Sequence, residues 1–349
     1  MKILLSSLLL FLGASALGQT QQPPGPEEFL RTRMQLSASQ IRDIQSGKAV
    51  AKILSSSERS DIFVFGAVYI HAQPSAYLEF MSDIHRLKKL PAYLGAGKFS
   101  EPPQLSDLEG FSLDDEDIKD LRKCKPGKCD LQLPESSMET VRNSIDWNSP
   151  DAAEVINHRA KQGVLQVLEA YAKQGDSALG TYRDKPDPLP VGQRFATLLS
   201  KVEFFPEYLP ELNRYLLDYP HSKPEGTRDF FYWEKVNFGL KPTIRLNHAV
   251  LYHAHSAERE IYALAIKQLY ASHYFQTAVD LSFCVPNDDA SGDPGFYLIT
   301  IKASRQAGLT GLKGGIIRKV AVGKTRSSLE QALNSIAKTL EHPATEKQN

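Results

Sequence analysis

The chain has no excess of charge of either sign: Lys plus Arg and Asp plus Glu number 41 each. That balance supplies no global electrostatic footprint, so neither nucleic acid nor an anionic membrane surface is an expected partner. There is no G-x-S-x-G elbow to present a nucleophilic serine. Gly323, Lys324 and Thr325 resemble the end of a phosphate-binding loop, but the pattern needs glycine where this chain has Arg318. Gly311, Gly314 and Gly315 do not repair that spacing. Asp288, Asp289 and Asp293 flank Gly292 without the ladder of a calcium loop, so a hairpin connection is the plainer reading and a weak surface calcium site the alternative. No internal repeat is present, and no segment beyond the N-terminus is long and apolar enough to span a bilayer.

Cysteine is also scarce, with three in 349 residues. Cys124 and Cys129 enclose Lys125, Pro126, Gly127 and Lys128, a turn with Pro then Gly at its centre. The spacing is not the C-x-x-C of thioredoxin-like motifs, and no second pair completes a zinc ribbon. A disulfide across a hairpin loop is expected, ahead of a redox pair or half a metal site. Cys284, among Leu281, Phe283 and Val285, reads as a buried, inert thiol.

The N-terminus follows the pattern of a secretory signal over residues 1–18: Lys2, the apolar run Ile3 to Leu12, then small residues to Gly18. An oxidising, secreted or periplasmic location is therefore expected, with no transmembrane segment after cleavage. Residues 19–46 read as a linker, disordered from Gln19 to Glu28, followed by a short helix. Residues 47–345 read as a single domain with a helical insertion at about 135–220. Within it, Lys48 to Leu54 and Asp61 to His71 are predicted strands, the second apolar on both faces and so covered on both. A helix follows from Pro74 to its stop at Pro91. The segment Gly97 to Gly110 is polar, Ser112 with Asp115 is a capping box, and CDLQL is read as the second strand of the cysteine hairpin. The insertion carries helical periodicity through Val155, Val164 and Leu168, then Phe195 and Leu199, then Leu209 and Leu216, with an exposed proline-rich connection around Pro186 to Gly192.

The rest is organised around Arg228 to Ile301, predicted as a meander of three or four strands, with a final helix from Ser327 to Leu340 opened by a Ser327–Glu330 capping box. This order resembles the START-like helix-grip superfamily. The likeness is sharpest in AVYIHAQPSAYLEFMSD and in YLITIKASRQAGLTGLKGGIIRKVAVGKTRSSLEQALNSIAKTLE, and about half the chain is covered. LRKCKPGKCDLQLP and LYASHYF also resemble segments of uncharacterised exported bacterial proteins. The resemblance implies an α+β fold in which an antiparallel sheet wraps on a long C-terminal helix. It also implies an apolar cavity between the two, but no particular ligand.

Candidate site residues follow from the aromatic and polar content of the meander. Trp233, Tyr252, Tyr270 and Tyr274 offer apolar surface with polar tips. Arg245 is the leading polar candidate, with Asn247 and Lys267 beside it. For most of the meander's aromatics the plainer reading is core packing. His253 and His255 share one face of a regular strand and His248 the other, without a nearby acidic third ligand, so a solvated turn is preferred over a metal site. No cofactor is implied. The function expected is binding of a hydrophobic or amphipathic, lipid-like small molecule between sheet and C-terminal helix. The alternatives are a non-catalytic envelope structural or interaction protein, and a hydrolase of unknown substrate tested first at His248 or His273.

Overall fold

The computed structural model describes residues 25–255, 260–287, 295–309 and 311–343. The signal sequence expected over 1–18 and the acidic residues Asp288, Asp289 and Asp293 lie outside them, as does the side chain of His255.

The chain begins with α1 (Pro26–Thr32) and α2 (Ala38–Gln45). These are two helices where the sequence suggested one, broken at Gln35, whose φ is 50°. Ser37 and Gln40 cap α2 reciprocally. Strands β1 (Val50–Leu54) and β2 (Asp61–Ile70) form a hairpin, and β2 is buried along its whole length, as its apolar faces predicted. Helix α3 (Pro74–Ser82) starts on its proline and leads through a 3-10 turn, Ile84–Lys89, into β3 (Tyr93–Lys98). Strand β3 was not legible in the sequence because its glycines remove the alternation. A Cβ on Gly97 would lie 2.5 Å from Trp233 Nε1, so the strand must be bare for the indole to lie on it.

Helix α4 (Asp115–Leu121) precedes the insertion, which comprises α5 (Glu135–Ser144), α6 (Ala152–Gln174), the short pair β4 (Thr181–Tyr182) and β5 (Leu189–Pro190), then α7 (Val191–Ser200), α8 (Phe205–Tyr208) and α9 (Pro210–Asp218). Cys124 and Cys129 form the expected disulfide. CDLQL is not a strand: it runs irregularly, with Gln132 N–H donating to Ser272 O at 2.9 Å. Asp115 opens α4 without the side-chain cap expected from Ser112.

The meander has five strands: β6 (Thr227–Val236), β7 (Thr243–His255), β8 (Glu260–Ala271), β9 (Phe275–Pro286) and β10 (Phe296–Gln306). With the first three it makes an eight-stranded antiparallel sheet in the order β1-β2-β10-β9-β8-β7-β6-β3. Helix α10 (Gly311–Glu341) completes the fold. It begins well before Ser327, so no capping box forms there. Glu330 instead accepts from Ala51 N–H in the edge strand β1 at 3.1 Å, and Asn334 from Ala49 N–H just before it at 2.9 Å.

The sheet carries a core on each face. Phe65, Val250, Ala265, Leu281 and Ile299 pack under α1, α2 and α7–α9, while Trp233 and Leu246 on the same face meet α6. On the opposite face Val64, Val68, Leu264, Cys284 and Leu298 pack under α3 and α10. The architecture is a helix grip with an inserted helical segment. No helix among the described residues is long and apolar enough to cross a membrane.

Candidate functional site

The α10-side face of the sheet divides into an apolar part and a polar part. Over β2 the contact is direct: a Cβ on Gly66 would meet Leu333 at 2.7 Å and Leu329 at 2.8 Å. No space for a ligand remains there. Toward the β6–β7 turn the face becomes polar. Glu234, Arg245, Asn247, Gln268, Asp280 and Lys302 all lie on it, as their cross-strand pairing requires. Tyr93 from β3 and Tyr77 from α3 pack on the same face, joined by Tyr232. Gly239, in the β6–β7 turn, reaches α10, with Lys324 Nζ 3.2 Å from where its Cβ would stand.

The hairpin register explains this assembly. Glu234 faces Arg245 and Tyr232 faces Asn247 across β6 and β7, and Asn247 faces Gln268 across β7 and β8. Arg245 Nη1 lies 3.0 Å from Glu234 Oε1, and its Nε donates to Gln268 Oε1 at 3.2 Å. Lys302 pairs with Asp280 at the more open side of the band. Burial pushes the Glu234 carboxyl above the usual carboxylate range, against the pull of Arg245. Burial opposes the Arg245 charge too, but Glu234 and Asp280 hold its pKa above the ordinary value. Desolvation likewise raises the Tyr77, Tyr93 and Tyr232 hydroxyls, leaving neutral hydrogen-bonding tips in an apolar setting.

Of the residues singled out from sequence, Arg245 and Asn247 meet on this face and the others do not. Trp233 is on the insertion side, donating Nε1–H to Asp107 O at 2.9 Å and standing edge-on to Phe111. Tyr252, also on that side, donates to Glu211 at 2.9 Å. Tyr270 lies edge-on to Tyr182 there. Tyr274 sits in the β8–β9 turn and accepts from Lys241 N–H at 3.1 Å. Lys267 is fully buried on the insertion side, bonded to Asp176 and to Leu216 O. Glu234, Gln268, Asp280 and Lys302 were missed. The signal was available for Glu234: reading Asn237–Pro242 as the turn sets it opposite Arg245.

The histidines are placed structurally. His248 Nε2 donates to Asp229 Oδ2 at 3.2 Å, a partner that only accepts, so Nδ1 accepts from the Tyr171 hydroxyl at 3.2 Å. His273 is held between Asp117 at 3.0 Å and Asp130 O at 3.1 Å. His253 stacks on Tyr262 with ring centroids 4.1 Å apart. No cluster of three potential metal ligands occurs among the described residues. A separate surface hollow of about 490 Å³ lies on α6, lined by Asp151, Glu154, Val155, His158, Arg159 and Gln162.

No protein-family model matches the chain. No curated protein matches it either. Solved structures resemble part of it weakly. A START superfamily protein from Mycobacterium smegmatis is 15% identical, covering 43% of this chain and 90% of its own, with a TM-score of 0.23. The Zhui aromatase/cyclase from a Streptomyces species is 12% identical over 42% of this chain and 87% of its own, with a TM-score of 0.22. Ara h 8.0201 is 12% identical over 43% of this chain and 90% of its own, with a TM-score of 0.19. The likeness to START-like helix-grip proteins is thus partial and of pattern only.

Proposed function

We propose that the protein is an exported, non-catalytic binder of a small amphipathic molecule, held on the α10-side face of the sheet with its polar end on the Glu234–Arg245–Asn247 band. The observation that supports this most is the band itself. Six polar or charged side chains, drawn from five adjacent strands of the sheet, share the inner face of the grip. Glu234, Asn247 and Gln268 are buried outright, which costs several kcal/mol that apolar residues would not incur, so they are poor candidates for stability alone. An apolar surround with a few convergent polar groups is the usual composition of small-molecule sites. The interior is closed as it stands, since Asn247 is fully buried, so admission requires the cover over the band to part.

Native mass spectrometry of protein purified from the cells that make it tests the reading, with an adduct of apolar character as the expected result. Protein that carries no adduct, and takes none up when incubated with short-chain amphiphiles, would remove it. Export is checked separately by sequencing the N-terminus of the mature protein.

The hollow on α6 supports a second reading, an envelope interaction protein that docks through its helical insertion. Crosslinking in intact cells distinguishes the two, because a docking protein yields one reproducible protein partner at α6.

A further inference from the structure

Asn247 is the one member of the band whose side-chain amide makes no hydrogen bond of normal geometry. Its residue exposure is zero, yet neither Nδ2 nor Oδ1 has a hydrogen-bond partner. The side chain lies near enough to Glu234 to ease the charge there, without a bond of normal geometry. A buried amide without normal hydrogen bonds at either end is destabilising, and native interiors rarely leave such groups unpaired. The ionic groups around it differ in being already matched: Arg245 with Glu234 at 3.0 Å, and Lys302 with Asp280.

Resting on the binding reading above, we propose that Asn247 selects the polar head of the ligand, and that this head is an uncharged group offering a donor and an acceptor side by side, of the carboxamide type. A carboxamide carbonyl accepts from Asn247 Nδ2, and its N–H donates to Oδ1, so both unused positions are filled by one planar group. A carboxylate has no proton for Oδ1 and would stand near Glu234. A quaternary ammonium has no donor or acceptor at all. Either ion would also bring an unmatched charge into a band whose charges are already paired, which is the costlier arrangement.

The test is equilibrium dialysis of the full-length mature protein against octanamide, octanoate and octyltrimethylammonium at pH 8, three soluble probes that share a tail and differ in the head. Octanamide is expected to bind at least ten times more tightly than either ion. Asn247→Leu is expected to lose that preference while the three affinities converge, with its thermal unfolding followed in parallel to establish that it folds. Equal affinity for the three probes in the wild-type protein, or preference for an ion, would overturn the head-group assignment and leave the binding reading intact. Binding of none of them would overturn both. The wild-type comparison decides the matter even if Asn247→Leu does not fold.

Discussion

Leu333 of α10 rests on Gly66 of β2: a Cβ at position 66 would lie 2.7 Å from Leu333 Cδ1. The helix is seated at the only position in β2 with no side chain. Gly66→Val is expected to destabilise the fold by about 1–3 kcal/mol through overpacking, measured by urea unfolding. Combining it with Leu333→Ala should recover part of that loss. Strictly additive losses would show that the two positions do not bear on each other.

Lys267 and Asp176 join β8 to the segment after α6, and Lys267 also donates to Leu216 O in α9. Burial holds the Lys267 ammonium down at about 8, against the pull of Asp176. Removing one partner leaves the other charge buried. Lys267→Met is therefore expected to cost about 3–5 kcal/mol, whereas Lys267→Met with Asp176→Leu should recover most of it or exceed the wild type. Denaturant titration of the three variants reads the coupling directly.

The His248–Asp229 contact sets a pH dependence. Burial lowers the His248 pKa below its ordinary 6.5, outweighing Asp229, so the folded protein prefers the neutral ring. The unfolded chain then binds the proton more readily. The stabilisation from His248 is fully present above about pH 6.5 and is lost as pH falls toward the folded-state value. Partial burial works against the Asp229 charge, but hydrogen bonds from His248, Tyr215 and Lys223 hold its carboxyl well below the usual range, so its share is lost only in stronger acid. Thermal unfolding between pH 8 and 5 should show the decline, and His248→Gln should flatten it.

The Cys124–Cys129 disulfide closes a short loop within a small cluster of Leu121, Leu131, Met138 and Ile156. Loop closure of that size contributes roughly 2 kcal/mol. Cys124→Ser with Cys129→Ser should lower stability by about that amount. Hydrogen exchange should rise around residues 121–138 and stay unchanged in the meander.

Much of the fold was legible from local pattern. The full burial of β2, the proline start of α3, the helical periodicity of α6, α7 and α9, and the cysteine staple are all consequences of near-neighbour chemistry. Other elements were hidden where glycine erases periodicity: β3 is bare because Trp233 covers it, and the final helix was expected only from Ser327 because Gly311, Gly314 and Gly315 mask the first turns of α10. The candidate site was half legible. Arg245 and Asn247 stand in the meander as expected, but Lys267 belongs to the opposite face. Strand alternation alone did not separate them, because a bulge between Leu246 and Asn247 shifts the register.

By itself the sequence determined the neutral charge balance, the absence of a nucleophile elbow and of a phosphate loop, and the cysteine pairing, since each is a matter of composition or short-range spacing; the class of fold followed from the resemblance of the element order to the helix-grip superfamily. Only the tertiary structure decided which face each polar residue takes. Side chains two apart share a face and side chains one apart do not, so a single bulge or turn length moves a residue from one core to the other. That is why Glu234 joined Arg245 and Asn247 beneath the helix, while Trp233, Tyr252, Tyr270 and Lys267 went to the insertion.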